Sequence, residues 1–367
     1  MRVAFRADAS LDIGSGHVMR CLSLAEGLRA RGAECVFLAR KHQGHLNALV
    51  QARGYEARSL GGADAPVTTT RGDAALDYSR WLGVDARQDA EDTLAQIRSS
   101  PVDWLVVDHY SLDAEWERGV MSACTKLLAI DDLANRPHQC DALLDQNLGK
   151  SQDDYDGLTP DSCIRLIGPG FALLRAEFAK LRPESLARRV HGGCRRLLVS
   201  MGGVDRDDTT SEILDALKHC DLPEDSRVTV VMGPNAPWRD RVKSLAEDMP
   251  FSTPVLANVS NMAELMRDAD LAIGAAGTTS WERCCLGLPT IQLVLADNQR
   301  SIAEALSDAG AAFLVKRAGL AIGVRSFLTK VSKCDDLLLK MSRAAAQVTD
   351  GNGVGRVVSH LFGGLQK

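Results

Sequence analysis

A histidine follows a glycine-rich turn near the start of the chain. In the segment RADASLDIGSGHVMR, residues 6–20, His17 comes directly after Gly14, Ser15 and Gly16. Glycines permit unusual backbone angles and let backbone amides approach a ligand. A helix is predicted to begin near His17, and the partial positive charge at a helix N-terminus favours a neutral imidazole, which can accept a proton. The segment indicates a general base beside a ligand-binding turn; the alternative is a surface histidine at a helix start.

A turn in the C-terminal half has the residue types that suit a diphosphate. In GAAGTTSWE, residues 274–282, Gly277, Thr278 and Thr279 open a predicted helix. Two hydroxyls and free amides at a helix N-terminus can bind phosphate oxygens. Glu282 lies one turn further along, and its carboxylate can accept both hydrogen bonds of a ribose diol. The alternative for Glu282 is a capping box with Thr279.

Further turns in this half follow predicted strands. Gly202 and Gly203, in SMGGVD, either open space for a phosphate or sugar or form a tight turn between a strand and a helix. Met232, in VMGPN, ends a strand where a nucleotide base could lie. Asn258 follows the next strand and either reaches the same base or is an ordinary turn asparagine.

The tetrapeptide ADNQ, residues 296–299, follows another predicted strand. Asn298 or Gln299 is expected to point into a binding cleft. The alternative is that Asp297 or Asn298 caps the helix that follows.

Short apolar runs alternate with helical patterns around these segments, which predicts parallel βαβ sheets. In the first half the predicted strands are Arg2–Phe5, Cys35–Ala39, Trp104–Val107 and Leu127–Ile130. The rhythm restarts at Arg196 and continues with Val228–Met232, Pro254–Leu256, Leu271–Ile273 and Thr290–Leu293. Because ligands of open α/β sheets bind at the carboxyl ends of the strands, two such domains predict one cleft between them.

The domain organisation follows from the length and from a basic, glycine-containing middle segment. The 367 residues exceed what one core usually serves. We predict an N-terminal Rossmann-like domain over residues 1–167, a connection over 168–193 and a C-terminal Rossmann-like domain over 194–367. The last helix could pack back on the N-terminal domain.

Composition excludes several classes of protein. The net charge is -5 with acids and bases interspersed, which is not the basic stripe of a nucleic-acid binder. There is no apolar run near the roughly 18 residues that span a bilayer and no secretory signal, so we expect a cytoplasmic protein without a membrane partner. The ten cysteines are scattered without a CxxC pair, so we expect neither a metal nor a cofactor.

Taken together, the motifs resemble the PseG family, the UDP-2,4-diacetamido-2,4,6-trideoxy-β-L-altropyranose hydrolases of pseudaminic acid biosynthesis. The resemblance extends from Arg6 to about Gln299. It is carried, in order, by RADAS, IGSGHVMRC, DYSRWLGVDA, VDHY, IDDLANR, DQN, GPGFALLRAEF, SMGGVD, NMAELM, GTTSWERCCLGLP and ADNQ.

This resemblance implies a GT-B fold, like that of MurG, and a metal-independent reaction in which water replaces UDP at the anomeric carbon with inversion. It implies that the C-terminal domain holds UDP and that His17 is the general base. Tyr78 and Asn298 would position the sugar or the water, and Asp8 would lie near the sugar. One departure is Ala276, where the family pattern would have a glycine before Gly277.

The expected partners are therefore a UDP-sugar substrate and the UDP product, with the chain a monomer or weak homo-oligomer. A glycosyltransferase and a nucleotide-sugar 2-epimerase are alternatives on the same fold. A nucleotide-sugar-binding regulator without turnover is the non-enzymatic alternative.

Overall fold

The computed structural model describes residues 1–61, 78–191, 193–233, 236–334 and 336–364. The strands are β1 (Arg2–Ala7), β2 (Glu34–Ala39), β3 (Glu56–Ser59), β4 (Val102–Asp108), β5 (Cys124–Ile130), β6 (Ala142–Asp145), β7 (Ile164–Ile167), β8 (Arg196–Ser200), β9 (Arg227–Met232), β10 (Val255–Ala257), β11 (Leu271–Ala275), β12 (Thr290–Leu293) and β13 (Ala312–Val315).

The α-helices alternate with these strands. They are α1 (Gly16–Arg29), α2 (Asn47–Ala52), α3 (Ser79–Leu82), α4 (Ala86–Ile97), α5 (Ala114–Val120), α6 (Ala176–Arg188), α7 (Thr209–Leu217), α8 (Arg239–Glu247), α9 (Met262–Asp268), α10 (Thr279–Cys285), α11 (Arg300–Asp308), α12 (Leu320–Lys333), α13 (Leu337–Val348) and α14 (Gly353–Gly363). None of the helices in the described part of the chain combines the length and the apolar character needed to cross a bilayer.

The first unit comprises Met1–Leu173 with Gly353–Lys367 and is built on a parallel sheet in the order β3-β2-β1-β4-β5-β6-β7. Its central strands β1, β4 and β5 are mostly apolar on both faces because helices cover both faces of a parallel sheet. In β1, Val3 and Phe5 enter one core together with α1 and α14, whereas Ala4 enters the core on the other face. The order reverses between β1 and β4, the position at which open α/β sheets bind ligands.

The second unit, Leu174–Asn352, repeats this arrangement with a parallel sheet in the order β10-β9-β8-β11-β12-β13. Its order reverses between β8 and β11. Ile273 and Ile291, both fully buried, belong to the core on one face of this sheet. Two Rossmann-like sheets in one chain confirm the predicted fold class.

Two segments connect the units along the chain. Helix α6 lies within the segment 168–193, where two arginines donate to carbonyl groups of the second unit. Arg182, on α6, donates to Ala346, and Arg189, directly after α6, donates to Ala269, both at 2.6 Å. Helix α14 packs on α1 in the first unit, where Gly27 leaves room for Val354. The domain bounds 1–167, 168–193 and 194–367 stay a prediction.

Candidate functional site

His17 and its partner lie at the carboxyl edge of the first sheet, where the strand order reverses. The chain leaves β1 at Ala7, passes through the turn that contains Gly14, and enters α1, in which His17 is the second residue. Asp108 is the last residue of β4 and pairs in register with Ala7 of β1. The topology therefore brings the start of α1 to the end of β4.

The imidazole of His17 is held by a buried carboxylate. Its Nδ1 lies 2.5 Å from Oδ1 of Asp108, whose side chain is fully buried. With Nδ1–H donating to this carboxylate, the lone pair is on Nε2, which is the nitrogen that can accept a proton. A carboxylate that fixes the tautomer and orientation of a histidine is the arrangement that general-base catalysis needs.

Arg20 keeps Asp108 ionised and in place. Its Nε and Nη2 donate to the two oxygens of Asp108 at 2.6 and 2.7 Å, and its Nη1 donates to Oδ2 of Asp132 at 2.7 Å. Burial alone would raise the pKa of Asp108, but the charge of Arg20 and the contact with His17 outweigh it and hold that pKa well below its usual range. The surroundings of Asp108 thus favour its ionised form beside His17.

Two aromatic side chains lie against His17, and a third packs on those two. Tyr110 meets the imidazole edge to face, with ring centroids 4.7 Å apart, and Trp81 lies at 6.3 Å. Tyr78 lies 4.6 Å from Trp81 and 5.0 Å from Tyr110. The Tyr110 hydroxyl donates to Asp132 at 2.8 Å, which ties this ring to the carboxylate that binds Arg20. Asp77, which precedes Tyr78 in the DYSRW motif, lies outside the described residues.

The other residues that the sequence predicts for the site in the first unit are those of the glycine turn and Asp8. Gly14 has φ +78°, a conformation that suits glycine, and Ser15 and Gly16 form the start of α1 without a side-chain cap. Asp8 is fully buried, where Arg6 donates to it at 2.8 Å and the backbone N–H of Arg40 donates at 2.8 Å. The structure gives the carboxylate of Asp8 internal partners, and its contact with a sugar stays a prediction.

Two turns of the second unit approach each other at the carboxyl ends of β8 and β9. Gly202 has φ +87°, and a side chain at Gly233 would overlap the carbonyl of Gly203. The backbone N–H of Asn258 donates to the carbonyl of Met232 at 3.4 Å, so the ends of β9 and β10 are also adjacent. Asn258 is exposed and has φ 52°, the conformation of a turn asparagine. Residues 234 and 235 of VMGPN lie outside the described residues.

A second pair of turns meets at the ends of β11 and β12. Thr278 is the N-cap position of α10, and Thr279 is its first residue. The amide nitrogen of Gln299 lies close to Gly277, 3.8 Å from the position that a β-carbon would occupy. The Gln299 side-chain oxygen accepts a hydrogen bond from the backbone of Leu295 at 3.0 Å. Asn298 is half-buried in the same short turn.

Glu282 does not cap α10. The helix has no side-chain cap at Thr278, and the carboxylate of Glu282 instead lies 3.4 Å from Arg175. Burial raises the pKa of Glu282, and the charge of Arg175 opposes that shift. The capping-box alternative is therefore wrong for this helix, and a half-buried carboxylate next to the GTT turn is available for another role.

The structure thus groups the predicted residues within each unit. In the first unit, Tyr78 packs on the rings of Trp81 and Tyr110, which contact His17. In the second, Gly277 and Gln299 are adjacent, as are Met232 and Asn258. Among the residues that the structure describes, no group of three or more His, Cys, Asp or Glu side chains is arranged to hold a metal ion.

Sequence reasoning missed the partners of His17. Arg20 lies three residues after His17, so both are on one face of α1, and a buried arginine needs a carboxylate. Asp108 follows a predicted apolar strand directly, which places it at the ligand-binding edge. These two signals together could have identified the pair, and the VDHY motif contains both Asp108 and Tyr110.

Comparison with known proteins locates a familiar domain in the second half of the chain. Residues 198–353 match the glycosyltransferase family 28 C-terminal domain. MurG of Acinetobacter baumannii has the same fold, with a TM-score of 0.68 at 18% identity over 98% of this chain and 99% of that one. A UDP-GlcNAc 2-epimerase of Neisseria meningitidis, bound to UDP-GlcNAc, has a TM-score of 0.57 at 13% identity over 99% and 100%. The chain therefore has a GT-B fold, and residues 198–353 within it are similar to the glycosyltransferase family 28 C-terminal domain.

Three relatives match at the level of sequence. An uncharacterized protein of Methanocaldococcus jannaschii is 26% identical over 82% of this chain. The matched part spans 57% of that relative's length. The spore coat polysaccharide biosynthesis protein SpsG of Bacillus subtilis is 25% identical over 98% of both chains. The UDP-2,4-diacetamido-2,4,6-trideoxy-β-L-altropyranose hydrolase of Campylobacter jejuni is 24% identical over 84% of this chain and 97% of that enzyme.

Proposed function

We propose that the chain hydrolyses UDP-2,4-diacetamido-2,4,6-trideoxy-β-L-altropyranose to UDP and 2,4-diacetamido-2,4,6-trideoxy-L-altropyranose, a step of pseudaminic acid biosynthesis. Water attacks the anomeric carbon with inversion, and the bond between that carbon and the phosphate oxygen breaks. The sugar assignment is supported by the family motifs and by the activity named for the Campylobacter jejuni relative.

The observation that carries the hydrolase activity is the pair of His17 and Asp108. The 2.5 Å contact at Nδ1 leaves Nε2 as the basic nitrogen, and the aromatic rings of Trp81 and Tyr110 limit water around it. Nε2 takes a proton from one water while the oxygen of that water bonds to the anomeric carbon. The imidazolium that forms is stabilised by the anionic Asp108.

The second unit is proposed to bind UDP. The turn of Gly277, Thr278 and Thr279 offers amides and hydroxyls to the diphosphate, with Gln299 beside it. Glu282 accepts hydrogen bonds from the ribose, and Met232 with Asn258 contacts the base. Asn298 positions the sugar or the water. UDP can leave without a general acid because these dipoles stabilise the charge on its phosphate oxygens.

A glycosyltransferase is the second candidate, favoured by the match of residues 198–353 to a glycosyltransferase domain. The same pair of His17 and Asp108 could deprotonate an acceptor hydroxyl instead of water. The two functions differ in whether UDP is released when water is the only acceptor.

The test is incubation of the purified chain with a panel of UDP-sugars that includes the diacetamido-trideoxy sugar and UDP-GlcNAc. UDP release is followed by a coupled assay and the sugar by NMR in the first minutes, before the anomers equilibrate. We expect UDP and the inverted free sugar without added acceptor. Release only with an acceptor would favour the transferase. Appearance of a 2-epimer would favour the epimerase, and binding without any product would favour a regulator.

A further inference from the structure

A single hydroxyl group lies between two buried carboxyl groups next to the His17 site. The Tyr155 oxygen is 2.9 Å from Oδ2 of Asp131 and 2.9 Å from Oδ2 of Asp145, and all three residues are fully buried. A phenol has one proton and can donate to only one of these oxygens. The second short contact therefore requires a proton on one of the two carboxyl groups.

The partners of Asp131 mark it as the ionised member. Its Oδ1 accepts from Arg136 at 2.6 Å, and its Oδ2 accepts from the backbone N–H groups of Ala134 at 2.8 Å and Leu133 at 3.2 Å. Burial opposes ionisation, but Arg136 and these further contacts hold the pKa of Asp131 below its usual range. The Tyr155 proton is thus donated to Asp131.

Asp145 has the opposite surroundings. Besides Tyr155, its hydrogen bond is from the backbone N–H of Asn147 at 2.9 Å, and the carboxylate of Asp132 lies nearby. Burial first, and then the negative charge of Asp132, raise the pKa of Asp145 to about 7. The protonated carboxyl group of Asp145 donates to the Tyr155 oxygen, which completes the hydrogen bonds of the group.

A continuous set of contacts leads from Asp145 to the base. Asp145 holds the backbone of Asn147, whose side-chain amide donates to the backbone carbonyl of Asp132 at 3.2 Å. Asp132 in turn accepts from Arg20, and Arg20 binds Asp108 through two hydrogen bonds. Asp108 holds His17. The carboxylate of Asp132 can occupy its position beside Asp145 at low energetic cost only while Asp145 is neutral.

We infer that Asp145 is a positioning residue for the His17 base and acts in its neutral, protonated form through Asn147, Asp132 and Arg20. The kinetic test of this inference rests on the hydrolase activity proposed above. The polar and charged groups that face the Asp145–Tyr155–Asp131 cluster from the elements packed against it are Asp132, Asn147, Arg136 and His138, whereas β7 contributes Ile167 opposite Asp145.

When Asp145 ionises, a second negative charge lies beside Asp132. The Tyr155 hydroxyl then has two carboxylates, Asp131 and Asp145, as neighbours but only one proton to donate. The negative charge of Asp145 repels the carboxylate of Asp132 and so weakens the hydrogen bond between Asp132 and Arg20. Because Arg20 orients Asp108, the orientation of Asp108 and His17 is disturbed above neutral pH. A group with a pKa of about 7 keeps roughly 3% of its protonated form at pH 8.5. Turnover should therefore fall by about tenfold or more from pH 6.5 to pH 8.5.

The kinetic experiment compares Asp145→Asn with the wild type over this pH range. Asparagine has the shape of protonated aspartate and cannot ionise. The kcat of the Asp145→Asn variant should therefore fall by less than about threefold between about pH 6.5 and about pH 8.5. Asp141→Asn is the matched control, because Asp141 directly precedes the first residue of β6 and its carboxylate accepts from the backbone of Leu127 at 2.8 Å. The control should keep the wild-type pH profile. Superimposable profiles of Asp145→Asn and the wild type would overturn the inference.

A second measurement does not depend on turnover. In the wild type the ¹⁵N signals of His17 should shift with the same midpoint as the Asp145 carboxyl carbon, and Asp145→Asn should remove this shift. The melting temperature of Asp145→Asn relative to the wild type should rise between about pH 4 and pH 7 and then level off. The reason is that the unfolded chain ionises Asp145 near pH 4, whereas the fold retains the proton until its pKa of about 7.

If no UDP-sugar is hydrolysed, the proposed function fails while the coupled ¹⁵N shift still supports the positioning role. If UDP is released but the ¹⁵N signals of His17 do not respond to Asp145, the positioning role is wrong and the hydrolase stands.

Discussion

The imidazole of His17 can accept a proton only at the nitrogen that Asp108 leaves free. Nδ1 is occupied by a carboxylate that two hydrogen bonds from Arg20 keep anionic. The proposed base is therefore a unit of three side chains, His17, Asp108 and Arg20. Its parts are separated by 88 and 91 residues in the sequence, and only the fold brings them together.

His17→Asn should remove most of the turnover and leave UDP binding unchanged. Asparagine retains polar atoms near this position but has no basic nitrogen, and loss of a general base costs about 10²–10⁴-fold in rate. UDP affinity is measured by calorimetry beside kcat. His219→Asn, an exposed position on the second unit, is the control and should behave as the wild type. A His17 variant within a few-fold of the wild type would remove the residue from the mechanism.

Asp108→Asn should lower kcat by about 10²–10⁴-fold although His17 is still present. The asparagine amide can donate to Nδ1, which puts the imidazole proton on Nε2 and leaves no base facing the water. Asp103→Asn, at the amino end of the same strand, removes the charge from the side chain that accepts the Arg2 backbone N–H but should keep its activity. Equal kcat losses in the two variants would point to general destabilisation of β4 rather than to the tautomer of His17.

At the scale of secondary-structure elements, the proposed nucleotide residues come from turns at the carboxyl ends of strands. The GTT turn follows β11, and the Gln299 turn follows β12, its neighbour in the sheet. Glu282 is on α10 but is paired with Arg175, just before α6. The carboxylate is thus oriented by a second element instead of by its own helix start.

Glu282→Gln should weaken UDP binding by about tenfold or more with little change in kcat. A hydrogen bond to a charged group contributes about 1.5–3 kcal/mol, and 1.4 kcal/mol corresponds to a factor of ten in affinity. Calorimetry with UDP measures the effect, and Glu264→Gln, exposed on α9, is the control. Unchanged UDP affinity with a lower melting temperature would show that Glu282 serves only the packing of α10 through Arg175.

The turns were more predictable than the elements around them. Glycine and threonine spacing identified the segments at Gly14, Gly202 and Gly277, because only small or capping residues suit such turns. Four strands were not predicted: β3, β6, β7 and β13. Each has four residues, too few for a periodic pattern, and β3 is polar in sequence. Missing β6 also hid Asp145, its last residue.

At the scale of the whole molecule, the two sheets share the order of their first six strands, and the first sheet has a seventh strand. The chain crosses between the two units after Leu173 and after Asn352. Alternating strands and helices predicted both sheets. The sequence left the place of the last helix open because its apolar face could cover either core. In the structure Val357 and Leu361 of α14 enter the core of the first unit, together with Leu28 of α1. Helix α1, which carries His17, therefore packs against α14 near the C-terminal end of the chain.

The bond that breaks can be determined by hydrolysis in oxygen-18 water, where the label should enter the free sugar and not UDP. His17 belongs to the first unit, whereas the GTT turn proposed for the diphosphate belongs to the second. That turn supplies amides and hydroxyls, which stabilise a leaving diphosphate but do not deprotonate a water next to phosphorus. Attack at phosphorus is usually assisted by a metal ion that activates water and offsets charge, so turnover should also persist in EDTA. Mass spectrometry of both products decides between the two bonds, with His17→Asn as a blank for uncatalysed exchange. Label in the uridine nucleotide would mean P–O cleavage, and the water activated by His17 would then have to be assigned to phosphorus.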